Sequence, residues 1–131
     1  MEAAQRFLEV KTRRQVGSGR WARATAWAFE MLRQKECGEV AKPEWWNDEG
    51  LKALSARVLR AAPNEEPALD MRANVLSGIY GAAWEAGPRS AAELKEAAVL
   101  FDRSAVLSTA PAWKAETSRL ADLCRSRAEA M

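Results

Sequence analysis

RVLRAAPNEEPALDMRANVL, Arg57 to Leu76, decides the fold. A helix-like run ends at Ala62, because Pro63 has no N–H to donate and its ring clashes with the turn before it. Asn64 is then the expected cap of the next helix. Glu65 and Glu66 sit at that helix's positive end, and Pro67 falls in its first turn, where a missing donor costs little. The stretch predicts two helices joined by a tight corner.

Helical periodicity continues on both sides of the corner, whereas β-branched and aromatic alternation never exceeds three residues. A first helix is expected over about 2–15, with Ala3, Ala4, Phe7 and Val10 on one side. Gly17-Ser18-Gly19 breaks it, and Ser18 or Gly19 caps a second helix over about 19–37, striped by Trp21, Ala24, Ala28, Met31 and Leu32 and closed by Gly38. A third runs from Glu44 or Asp48 to Ala62 on Leu51, Leu54 and Val58. The fourth extends from the corner to about Trp84, before Gly87-Pro88. Ser90-Ala91-Ala92-Glu93 is a capping box for the fifth, which carries Leu94, Ala98, Phe101 and Ala105. Thr109-Ala110-Pro111 starts the sixth, striped by Trp113, Thr117, Leu120, Cys124, Ala128 and Met131. The expectation is one all-α domain over 1–131, with an N-terminal helix over 1–16, hairpins over 18–62 and 64–108, and a closing helix over 110–131.

The bulk composition excludes several classes. With 131 residues, 48% hydrophobic and 29% charged, the chain suits one domain with a real core. The net charge of +2 is too small to argue by itself for nucleic acid or a membrane surface. Its distribution is uneven: residues 1–29 hold six bases against two acids, and residues 30–70 nine acids against six bases. No transmembrane run is present. The start lacks a secretory pattern, and its arginines with Phe7, Leu8 and Val10 weakly resemble an organelle transit segment, beside the plainer reading of an amphipathic helix. Cys37 and Cys124 form no CxxC, so a reducing intracellular compartment is expected. With no histidine and only two cysteines, histidine-based catalysis and the usual zinc sites fall away. The Gly17-to-Arg20 stretch GSGR is too short to cradle phosphates. No metal or cofactor is expected.

Two corners repeat. Val58-Leu59-x2-Ala62-Pro63 matches Val106-Leu107-x2-Ala110-Pro111, with the prolines 48 residues apart. Leu51, Ser55, Val58 and Pro63 are spaced +4, +3 and +5; Leu76-Ser77-x2-Tyr80 and Ala97-x3-Phe101 follow. This resembles the tetratricopeptide (TPR) family of helical hairpins, with Ser77 where that family has glycine and a longer period than its roughly 34 residues. The resemblance implies a right-handed stack of antiparallel hairpins that grips a peptide or protein on a concave face lined by the first helix of each hairpin. An orthogonal helix bundle is the alternative architecture.

Five residues are candidates for partner binding. Arg72 falls near the middle of a wide apolar arc formed by Leu69, Met71, Ala73, Val75, Leu76, Ile79 and Tyr80, so it must pair internally, snorkel, or reach a groove. Asn74 and Ser77 lie on the opposite stripe with Asp70 and Gly81, near the groove of a TPR-like stack. Trp45 and Trp46 point about 100° apart on a helix start, so they either cap a junction or anchor a partner. Trp21, Trp27, Trp84 and Trp113 fall on core stripes. The function expected is a non-catalytic adaptor, scaffold or small subunit. A basic helical domain touching nucleic acid is the rival, resting on the N-terminal charge with Phe7 and Trp21. An enzyme using carboxylates such as Glu44, Asp48 and Glu49 is the remotest, since those acids belong at a helix start.

Overall fold

The computed structural model describes residues 18–34, 42–79, 84 and 86–131. These residues form five α-helices and no strand: α1 (Gly19–Leu32), α2 (Asp48–Ala61), α3 (Glu66–Ser77), α4 (Ala91–Leu107) and α5 (Pro111–Glu129). The expected helix over 2–15 lies outside them, as do Cys37, Gly38, Tyr80 and Gly81.

Local chemistry sets most boundaries. Ser18 caps α1 by accepting from the Trp21 N–H at 3.0 Å. The helix stops at Leu32 rather than near Cys37, because the Gln34 amide turns back to donate to the Glu30 carbonyl at 3.1 Å, an acceptor that a longer helix would need. Asn47 caps α2 through the Gly50 N–H at 2.8 Å, with Asp48 and Glu49 in the first turn. At the decisive corner the cap is Glu65, not Asn64, and it makes no side-chain cap bond. Asn64 instead accepts from Arg103 of α4 at 3.3 Å, and the same guanidinium reaches the Pro63 carbonyl at 2.7 Å, bracing the turn from outside. Helix α3 ends at Ser77 rather than near Trp84. Gly78 takes φ +66°, a left-handed conformation that glycine adopts without strain and that terminates the helix. The capping box of α4 is complete, Ser90 and Glu93 exchanging bonds of 3.1 and 2.9 Å.

Helix α3 is central. Ala68, Met71 and Val75 pack into one core with Trp21, Phe29, Leu51, Val58 and Trp84. Leu69, Ala73 and Leu76 pack into a second with Ala97, Phe101, Leu120 and Cys124. Each buried Leu, Phe or Met side chain in these cores contributes roughly 1.5–3 kcal/mol of transfer free energy. Two-sided packing explains why α3 is apolar over so wide an arc. Each helix packs on the next in sequence, and α1 also reaches α3.

Candidate functional site

Two tryptophans leave the core. Trp21 and Trp84 are 1% and 6% exposed, but Trp27 on α1 and Trp113 on α5, both expected inside, are 44% and 42% exposed. They line one cleft of about 290 Å³ together with Phe29, Met71 and Pro67. Among the described residues its polar lining consists of Glu30 from α1 and Glu66 and Asp70 from α3. The corner produces this arrangement. By turning the chain at Pro63 and Pro67 it lays the first turns of α3 beside α1, and the spacing of four puts Glu66 and Asp70 on one face. A further tie across the same junction runs from Arg23 to Glu65 at 3.0 Å.

The three carboxylates are not equivalent. Glu30 takes two bonds from Arg33 at 2.8 Å each and one from Gln34 at 3.1 Å. Asp70 accepts from the Ser104 hydroxyl at 2.6 Å. Burial pushes its carboxyl up from 3.8 to about 6; the Ser104 bond opposes that, the charges of Glu66 and Glu30 add to it, and Arg33 moderates it. A carboxyl half-ionised near pH 6 at the wall of an aromatic cleft is poised to respond to a cation.

The expected partner-binding residues lie elsewhere. Arg72 sits between α2 and α4, 16% exposed, donating through Nη1 to the Lys52 carbonyl at 2.7 Å and Ser55 Oγ at 3.1 Å and through Nε to Glu96 at 3.3 Å. It lines a shallow groove with Glu49, Lys52, Glu93 and Glu96. Asn74 and Ser77 are interior, 4% and 0% exposed. The Ser77 hydroxyl donates to the Asn74 carbonyl at 3.0 Å and accepts from the Ile79 N–H at 3.3 Å, so it serves the end of α3. They are interior because α3 packs on both sides, which a single polar stripe does not reveal.

Trp45 and Trp46 are half-buried before α2 and extend an aromatic cluster over α1. The Trp46 ring centroid lies 5.6 Å from Phe29, 5.9 Å from Trp45 and 6.1 Å from Trp84. The loop closes on Gly50: a Cβ there would meet the Trp45 carbonyl oxygen at 2.5 Å. Gly50→Ala is therefore expected to cost about 2 kcal/mol by forcing the Trp45-Trp46 segment off α2, read as a lower denaturant midpoint with a shifted tryptophan emission.

A polar knot lies beyond this cluster. The Asp48 carboxylate takes two bonds from Arg89, at 2.6 and 3.0 Å, one from the Trp84 indole at 3.1 Å and one from the Gly87 N–H at 3.2 Å. The Arg89 guanidinium holds that carboxyl well below the usual range, despite partial burial. The sequence presented Asp48 as a helix-start acid alone, and nothing local to it announced a partner 41 residues away.

The exposure of Trp27 did carry a signal. It shares a helical face with Arg20, Arg23 and Glu30, seven, four and three residues removed, rather than with Trp21 and Phe29. Trp113 stands in the first turn of α5, before that helix's buried positions begin at Thr117. Known protein families, curated proteins and solved structures contain no match to this chain. Among the described residues no helix is long and apolar enough to cross a membrane.

Proposed function

We propose that the chain is a non-catalytic binding module, an adaptor or small subunit, whose helices stack in a TPR-like manner and whose partner is a peptide or protein seated on the cleft between α1 and α3. The observation that carries this reading is the pair of exposed indoles, Trp27 and Trp113, on one concave apolar surface. Tryptophan offers a large apolar face with a polar N–H, and such residues dominate binding energy where they line concave surfaces. The stacking reading is supported by each helix packing on its successor while α1 also contacts α3. The cleft carries carboxylates, which disfavour a phosphate backbone there.

Affinity capture with the full chain tests the reading. At least one protein retained by the wild type is expected to fall about tenfold or more with Trp113→Ser, a change at an exposed position that leaves the thermal midpoint near the wild-type value. An identical retained set for wild type, Trp113→Ser and Trp27→Ser would contradict it.

A further inference from the structure

Building on the binding-module reading, we infer that the cleft between α1 and α3 receives a lysine or arginine side chain from a basic segment of a partner protein. Three features of the cleft select that occupant. First, it is floored by the buried Phe29 and Met71 and edged by the half-buried Pro67, an apolar surround that suits an alkyl stem rather than a fully hydrated ion. Second, Trp27 and Trp113 line it, and an indole ring attracts a cation more strongly than any other side-chain ring. Third, among the described residues that line it, acids outnumber bases. Glu30 is engaged by Arg33, and Glu66 and Asp70 add further negative charge one helical turn apart. Asp70 takes the Ser104 hydroxyl on Oδ1, and its Oδ2 accepts no hydrogen bond from a described residue. A carboxylate has lone pairs for both.

The same geometry makes the interaction responsive to acid. Among the described residues, the charged groups facing Asp70 are Glu66 on its own helix and Glu30 and Arg33 on α1; α4 presents the Ser104 hydroxyl. With its carboxyl pushed up to about 6, Asp70 is ionised above that pH and neutral below it. A cation in the cleft favours the ionised form, so binding strengthens as pH rises through about 6 and weakens as it falls.

The test follows the indole N–H signals of Trp27 and Trp113 in the full chain, assigned by Trp→Phe substitution, during titration with two short peptides. One alternates leucine with arginine; the other carries citrulline in place of arginine and so keeps shape and hydrogen bonding without charge. The arginine peptide is expected to move both signals and to bind about tenfold more tightly than the citrulline peptide at pH 7.5, the margin of a charge-assisted hydrogen bond. That margin is expected to shrink at pH 5, and to lose most of its pH dependence in Asp70→Asn while Glu66→Gln retains it. Trp27→Ala is expected to weaken binding about two- to fivefold. Equal affinity for the two peptides would overturn the cationic occupant while leaving the binding-module reading intact. Two signals that ignore the arginine peptide yet move on Arg13→Glu with Arg14→Glu would overturn it in favour of the chain's own basic start. Signals that respond to neither would overturn it outright.

Discussion

Asp48→Ala is expected to remove about 3–5 kcal/mol of folding stability at neutral pH, because it leaves a buried arginine without its counter-charge. The side chain of Arg89 is 5% exposed, and Asp48 is 19% exposed. Besides its two bonds to Asp48, the guanidinium reaches the Val75 carbonyl at 2.9 Å and the Gly87 carbonyl at 3.0 Å. One ion pair thereby joins the start of α2, the last turn of α3 and the segment before α4. The Arg89 Nε is already buried with no hydrogen-bond partner among the described residues, so the guanidinium is short of acceptors before the carboxylate is lost. Lys52, 3.8 Å from Asp48, keeps its closer partner Glu93 at 2.8 Å, so Arg89 is the cation that loses its counter-charge. The pH dependence has a definite sign. Asp48 titrates lower in the folded chain than in the unfolded one, so its contribution is complete above about pH 4 and is lost as pH falls toward its folded value. Urea denaturation of wild type and variant is expected to show a wide gap at pH 7 that narrows in strong acid. A gap below about 1 kcal/mol at pH 7 would show that the knot is not an anchor of the fold.

The second large effect runs the other way. Asp70→Asn is expected to stabilise the chain at pH 7.5 by up to about 3 kcal/mol, the free energy equivalent of moving a carboxyl from 3.8 to about 6. A group whose folded value is raised binds its proton more tightly when folded. Its favourable contribution is complete below about pH 4 and disappears as pH rises through about 6. Asparagine keeps an oxygen for the Ser104 hydroxyl and removes the charge that burial, Glu66 and Glu30 all disfavour. The gain is expected to vanish below about pH 4, where Asp70 is protonated in folded and unfolded chains alike. Equal or lower stability of Asp70→Asn at pH 7.5 would remove the claim that this carboxylate is held at a cost. A destabilising charge kept in a cleft is the pattern expected where binding, not folding, sets the residue.

The helices were legible because their signals are local. Ser18 and the Ser90–Glu93 box cap where the sequence predicts, α2 begins at Asp48, one of the two expected starts, and Pro63, Pro67 and Pro111 turn the chain. The ends of α1 and α3 were less legible, since one depends on a side chain folding back from Gln34 and the other on Gly78 adopting a positive φ within a continuing apolar pattern. The site was only partly legible. Apolarity marks a tryptophan for the interior, and only its angular position separates Trp27, on the face of Arg23 and Glu30, from Trp21. Asn74 and Ser77 read as a polar face, yet small polar groups that bond the helix's own backbone are readily buried, as the Ser77 hydroxyl is. Arg72 read as a residue that must pair or reach a groove, and it lines one while bonded to Ser55 and Glu96. Its partners are 17 and 24 residues away, beyond any local pattern.

Hydroxyl-radical footprinting of the full chain, alone and bound to its captured partner, tests most directly that the α1–α3 cleft is the docking surface. Oxidation of Trp27 and Trp113 is expected to fall several-fold in the complex, while that of Trp45, on the far side of the aromatic cluster, stays unchanged. Undiminished labelling of Trp27 and Trp113 in a complex that protects other surfaces would contradict the account.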